Sequence, residues 1–117
     1  MVSIRRPDGG VVCRDCHIAA SFTTRLRGLM GRARMDADEG LLLRTASVHT
    51  SFMRFPIDVV FLDRELKVLR VVPALKPWRA ALCRGATWTL ELPAHTCEAR
   101  GLRVGQTLAA EPSDALV

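Results

Sequence analysis

Three groupings of residues in this sequence have the types and spacing to do chemistry. The first is Cys13-Arg14-Asp15-Cys16-His17. As a pattern, C-x-x-C-H is an attachment signal for a c-type haem. Haem attachment also needs export, a second axial ligand and an apolar pocket. The opening MVSIRRPDGG has no apolar stretch after its two arginines, so it does not read as a secretory signal. Zinc would need Cys83, Cys97, His49 or His95 to complete four ligands around Cys13 and Cys16. A zinc knuckle wants a tight turn, whereas these cysteines fall in an extended run. There, an offset of three puts side chains on opposite faces. A redox pair wants its first thiol at a helix N-terminus, and no helix is expected directly after Cys13. The expectation is unlinked buried or half-buried thiols, with no metal and no cofactor.

The second grouping is His49, Thr50, Ser51, Arg54 and Asp58, around a break at Pro56. Arg54 and Asp58 flank the proline, so a kink there could turn both toward one edge. An arginine and a carboxylate at that range can pair in a fork, and a nearby histidine titrates near neutral pH. Read functionally, this is a pocket for a small anionic or polar ligand. Read structurally, Asp58 accepts amide hydrogen bonds at the kink, Arg54 neutralises it and His49 is a satisfied neighbour. The third candidate is Glu91, set between Leu90 and Leu92. Across a sheet it could meet Asp58 or His49 and support acid–base chemistry. The commoner outcome in an alternating strand is a solvent-facing glutamate. Ser47 and Ser51 lie near His49 but lack the strand–turn–helix elbow of a G-x-S-x-G nucleophile. No phosphate-loop or G-x-G-x-x-G pattern is present.

Composition limits what these groups can serve. The chain has 117 residues, 49% of them hydrophobic and 25% charged, which fits one folded domain and not a disordered one. Its net charge is +5, from two lysines and fifteen arginines set against 12 acids. The arginines spread from Arg5 to Arg103, with one cluster at Arg25, Arg27, Arg32 and Arg34. With 5% aromatic residues and no tyrosine, a base-stacking platform is poorly supplied, so a solvated basic surface is expected over nucleic-acid binding. No apolar run approaches the ~20 residues of a membrane helix. A soluble, cytoplasmic protein without a membrane partner is the expectation; the sequence sets no oligomeric state.

The elements that must position these groups are mostly strands. Residues 11–18 read as a strand. Ser21 reads as a helix cap, followed by a core-facing stripe of Phe22, Leu26, Leu29 and Met30. Gly28 inside that helix implies close packing against a neighbour. Residues 35–39 read as an acidic loop, with a short strand over 41–43. Residues 48–53 alternate as a strand until Pro56. Residues 57–62 are apolar on both faces, as in a central strand. A charged turn at Asp63 to Glu65 leads to an antiparallel return over 66–72. Pro73 and Pro77 bracket a loop ending at Trp78 and Arg79. Another strand covers 86–92, Pro93 starts a short helix that ends at Gly101, and a turn at Gly105 precedes the last strand. The fold class is mainly β (α+β), a compact, barrel-like antiparallel sheet with two short helices. The domain covers 11–110, with 1–10 and 111–117 as flexible termini.

Three stretches carry a likeness: RLRGLMGR at 25–32, VHTSFMRFPIDVVFLD at 48–63, and LELPAH through GLRVGQ at 90–106. The chain resembles the domain-of-unknown-function 192 family of prokaryotic proteins. The resemblance implies one compact, mostly antiparallel β domain with short helices, and it supplies no activity. That family tends to have glycine at the position of His95 and aspartate at that of Gln106, so the turn near His95 is expected to differ. The leading expectation is a non-catalytic binding domain for a small anionic or polar ligand, using His49, Thr50, Arg54, Asp58 and Glu91. One alternative is an acid–base hydrolase using His49 with Asp58 or Glu91. The other is an interaction module that docks nucleic acid or an acidic protein through Arg25, Arg27, Arg32 and Arg34.

Overall fold

Residues 57–62, Ile-Asp-Val-Val-Phe-Leu, are buried without exception, as a strand covered on both faces must be. They form β5 of a computed structural model that describes residues 1–19 and 32–112. In chain order the strands are β1 (Val2–Arg5), β2 (Val11–Ala19), β3 (Glu39–Leu43), β4 (Ser47–His49), β5 (Ile57–Leu62), β6 (Val68–Leu75), β7 (Ala80–Leu82), β8 (Trp88–Pro93) and β9 (Ala109–Pro112). A single-turn helix, α1 (Thr96–Ala99), follows β8. Seven strands make one sheet in the order β6-β5-β8-β3-β2-β1-β9, and β4 pairs with β7 in a separate ribbon.

The expected hairpin of β5 and β6 is present and antiparallel, and β8 pairs on the other side of β5. The sheet alternation then sorts the core into two layers. Val60, Leu62, Leu90, Leu92 and Cys97 pack on one face. Ile57, Val59 and Phe61 pack on the other, beneath Val48 of the ribbon and beside Met53 and Phe55.

Several expectations are corrected. The sheet does not close into a barrel: its edges β6 and β9 do not pair. Among the described residues they approach through the segment before β9, where Val68 exchanges hydrogen bonds with Gly105 and Gln106 and Lys67 bridges Thr107. The sheet is also not wholly antiparallel, because β2 and β3 run parallel. The long connection over residues 20–38 allows this, since a parallel pair needs a crossover of a dozen residues or more. The helix expected over 22–30, with its Ser21 cap and Gly28 packing, lies outside the described residues. Among the described residues there is one helix, and it starts at Thr96, with Pro93 closing β8 instead. The first ten residues contribute β1, which sits between β2 and β9 with Ile4 buried.

Two segments behave differently from expectation. Pro73 lies inside β6, not in a loop. In the seven-stranded sheet β6 is an edge strand paired only with β5, where a missing amide need not cost a ladder bond. The strand expected over 48–53 stops at His49, because Thr50 opens a turn in which the Met53 amide donates to the Thr50 carbonyl at 3.2 Å.

The turn before α1 is built on His95. That residue takes a left-handed conformation, φ 72°, and its side chain makes no capping hydrogen bond. A non-glycine residue there carries about 1–2 kcal/mol of backbone strain. His95→Gly is expected to raise stability by about 0.5–1 kcal/mol, part of the relief being offset by glycine's greater unfolded-state freedom. A higher urea midpoint at unchanged m is the readout; a lower midpoint contradicts this account. Gln106 holds its own turn with both halves of its amide. Its Oε1 accepts from the Arg103 amide at 2.9 Å and its Nε2 donates to the Gly101 carbonyl at 3.1 Å.

Candidate functional site

Asp58 lies on the face of β5 that packs under α1, and it is fully buried. Its Oδ1 accepts from the amides of Ala74 at 2.8 Å and His95 at 3.1 Å, and its Oδ2 accepts from the Cys97 amide at 2.9 Å. One carboxylate thus ties the end of β6 and both ends of the His95 turn to the central strand. Neither Arg54 nor His49 is among its partners. The Cys97 thiol beside it is pushed up, first by burial and then by the neighbouring Asp58 charge.

Glu91 is also fully buried, not solvent-facing. Its strand β8 is interior, flanked by β5 and β3, and Glu91 stands opposite Val59 and Leu41. Residues directly opposite share a face, so Glu91 is on the side of Val59 while Asp58 is on the other. The two carboxylates are separated by the sheet and cannot act as an acid–base pair.

Thr50 is a hub. Its hydroxyl donates to the Lys76 carbonyl at 2.6 Å and accepts from the Arg79 amide at 2.9 Å. Its own amide donates to the Arg79 carbonyl at 2.8 Å, and its carbonyl accepts from the Trp78 amide at 3.0 Å. These bonds lock the turn after β4 to the turn before β7. Thr50 is fully buried, and Arg54, beyond the turn, is exposed.

His49 occupies the last rung of the ribbon, opposite Ala80, and is half-buried. It lines an open cleft of about 570 Å³ with Thr45, Ser47, Leu82 and Arg70. Arg70 comes from β6, and its Nη1 donates to the Leu82 carbonyl at 2.6 Å, which aims the guanidinium across the ribbon. The structure therefore places His49 with Arg70, a residue sequence reasoning passed over. Thr50, Arg54, Asp58 and Glu91 do not line this cleft. A sequence signal for it exists: residues 40–57 and 66–90 contain no Asp or Glu, yet they hold Arg44, Arg54, Lys67, Arg70, Lys76, Arg79 and Arg84.

A second cleft, of about 560 Å³, gathers Arg6, Arg14 and Arg100 with Glu98. Its cations already have carboxylate neighbours. Arg6 lies 3.4 Å from Asp8, while Arg14 and Arg100 lie 3.7 and 2.8 Å from Asp38.

The cysteine motif departs from its expected geometry. Cys13 and Cys16 are both buried in the same layer of the core. Two residues of β1 span from Cys16 to Cys13 on β2, so β2 carries one extra residue there. This bulge leaves Arg14 and Asp15 both exposed and turns the two thiols to one face. The neighbouring Cys16 thiol lowers Cys13, and the Cys13 thiol together with burial raises Cys16. A side chain at Gly40 would meet the Cys13 sulfur at 2.8 Å, so the close approach of β3 requires glycine. Among the described residues no three His, Cys, Asp or Glu side chains converge as metal ligands.

Of the arginine cluster, Arg25 and Arg27 lie outside the described residues, and Arg34 is exposed. Arg32 is occupied in a two-point pair with Glu39, at 2.5 and 2.7 Å. That pair holds the Glu39 carboxyl below the usual carboxylate range, against a smaller opposing push from burial. A depressed folded-state value means the stabilisation is complete above the unfolded-state value, about 4.3, and is lost as pH falls through the lower folded-state value. Glu39→Gln is expected to cost about 1 kcal/mol at pH 7 and to flatten the acid limb of the stability curve. Equal acid sensitivity in the variant would contradict the pairing.

The fold and site define a small mixed-sheet domain with a basic cleft on an accessory ribbon. The family model for DUF192, described as uncharacterized ACR, matches residues 4–110, and the chain belongs to that family. A UPF0127 protein of Pyrococcus furiosus is 38% identical over 99 residues, covering 80% of this chain and 84% of that one. A UPF0127 protein of Thermococcus sibiricus is 30% identical over 111 residues, covering 90% and 71%. Among solved structures, a Sinorhizobium meliloti protein provisionally described as a transcription regulator superposes with a TM-score of 0.77. It is 21% identical and covers 93% of this chain and 91% of its own. At that identity the likeness shows the fold. No helix among the described residues is long and apolar enough to cross a membrane.

Proposed function

We propose that this chain is a non-catalytic binding domain for a small anionic ligand held in the β4–β7 cleft. The observation that carries the reading is the convergence of His49 and Arg70 on a cleft whose own segments supply no carboxylate. A guanidinium presents two parallel N–H donors to an oxyanion, and an imidazole adds a ring N–H donor. Ser47 and Thr45 contribute hydroxyl-bearing side chains to the same lining. The volume lies within the range of small-molecule sites. The second arginine cleft supports the reading less well, because its charges are already balanced locally.

Calorimetric titration with inorganic pyrophosphate tests the proposal. Arg70→Gln is expected to weaken binding at least tenfold, with Arg70→Lys intermediate because it keeps the charge and loses the fork. Binding should also weaken as ionic strength rises. Absence of pyrophosphate binding at millimolar concentration, or equal affinity in Arg70→Gln, overturns it.

A further inference from the structure

Beyond His49 the ribbon ends in two turns, and each projects an aromatic ring. Phe52 and Trp78 are 57% and 59% exposed. Their ring centroids lie 4.7 Å apart at 61°, an edge-on pair. Both residues are left-handed, with φ of 67° and 62°. For bulky side chains this conformation costs about 1–2 kcal/mol each, and such strain gathers at ligand clamps and switch regions. Folding did not need these rings for the core, since more than half of each faces solvent. The buried Thr50 hub nevertheless fixes the two turns to each other. Lys76, Arg79 and Arg54 are exposed in the same turns, which contain no acid.

We infer that the Phe52–Trp78 pair with its basic surround is a docking surface for an acidic segment of a partner protein. Charge complementarity selects the acidic partner. Rigid aromatic anchors rimmed by arginine are the composition of interface hot spots, and fixing them before binding lowers the ordering cost. A fluid membrane surface gains nothing from two rings held at a set angle. A nucleic-acid base wants a parallel stacking face, and an edge-on pair offers no slot between its rings. The surface neighbours the anion cleft but does not depend on it, so the two can fail separately.

The test uses the full chain against a random peptide library. Enriched peptides are expected to carry several Asp or Glu beside a large apolar residue and to bind more weakly as salt rises. Phe52→Gly and Trp78→Gly should each weaken them at least tenfold. Glycine is the chosen replacement because it accepts the left-handed backbone, so both variants should keep the unmodified chain's urea midpoint or exceed it. Arg70→Gln should leave peptide binding within threefold. Any of four results overturns the inference: no enrichment, enrichment without acids, affinity unchanged by both glycine substitutions, or tighter binding to phosphatidylserine vesicles or to a single-stranded oligonucleotide that the same substitutions abolish.

Discussion

Asp58→Ala is expected to bring the domain close to its unfolding threshold, at a cost of about 3–6 kcal/mol. Three amides, from Ala74, His95 and Cys97, lose their acceptor at once, and each donates inside or beside the core. An unsatisfied buried donor costs roughly 1–3 kcal/mol, more where the bond was to a charge. A domain of this size has about 5–15 kcal/mol in total, so the variant should be partly unfolded at 37 °C. Asp58→Asn is the milder companion. Its carbonyl can still accept from Ala74 and His95, but its NH₂ then faces the Cys97 amide, donor against donor. Its cost should be about 2–4 kcal/mol. Urea denaturation of both variants reads the order Ala above Asn. If both fell within 1 kcal/mol of the unmodified chain, Asp58 would not be the tie between β5, β6 and α1.

Thr50→Val should cost about 2 kcal/mol while keeping side-chain volume. The substitution removes a donor to the Lys76 carbonyl and an acceptor for the Arg79 amide, both in a fully buried position. The backbone bonds of Thr50 to Arg79 and Trp78 remain, so the expected change is local loosening of the two turns. Faster hydrogen exchange at the Arg79 and Trp78 amides, with β5 amides still protected beyond them, is the signature. Uniform acceleration across the sheet would show that the hub supports the whole fold. Unchanged exchange would show that it supports neither.

Much of the scaffold was legible because its rules are local. The run Ile57 to Leu62 could only be a doubly covered strand, and Asp63 to Glu65 could only turn it back. What escaped depends on partners. Ala80–Leu82 is too short and too weakly patterned to announce β7, which exists because β4 offers it a ladder. The bulge between Cys13 and Cys16 is a mismatch against β1, invisible in the spacing of β2 alone. The parallel β2–β3 pair follows from a crossover, not from either strand.

The site was legible in kind more than in membership. His49 was marked by its type and lies in the cleft. Asp58 was marked by its place beside Pro56, and its neighbours turned out to be amides, the structural alternative for a carboxylate at a kink. Glu91 was expected to face solvent because alternation does not reveal that β8 is an interior strand. Arg70 looked like one polar residue of a return strand. Only the pairing of β6 with β5 and the position of β7 bring it across to His49. The acid-free stretch from Leu66 to Leu90 was present in the sequence, but charge averaged over the chain conceals it.

The most direct measurement of the central claim is a residue-resolved NMR titration of the ¹⁵N-labelled chain with pyrophosphate. Saturable shifts are expected at the amides of Ser47, Val48 and His49, at Ala80 to Leu82, and at the Arg70 Nε–H. Shifts confined to Arg6, Arg14 and Arg100, or no saturable shifts at all, would contradict it.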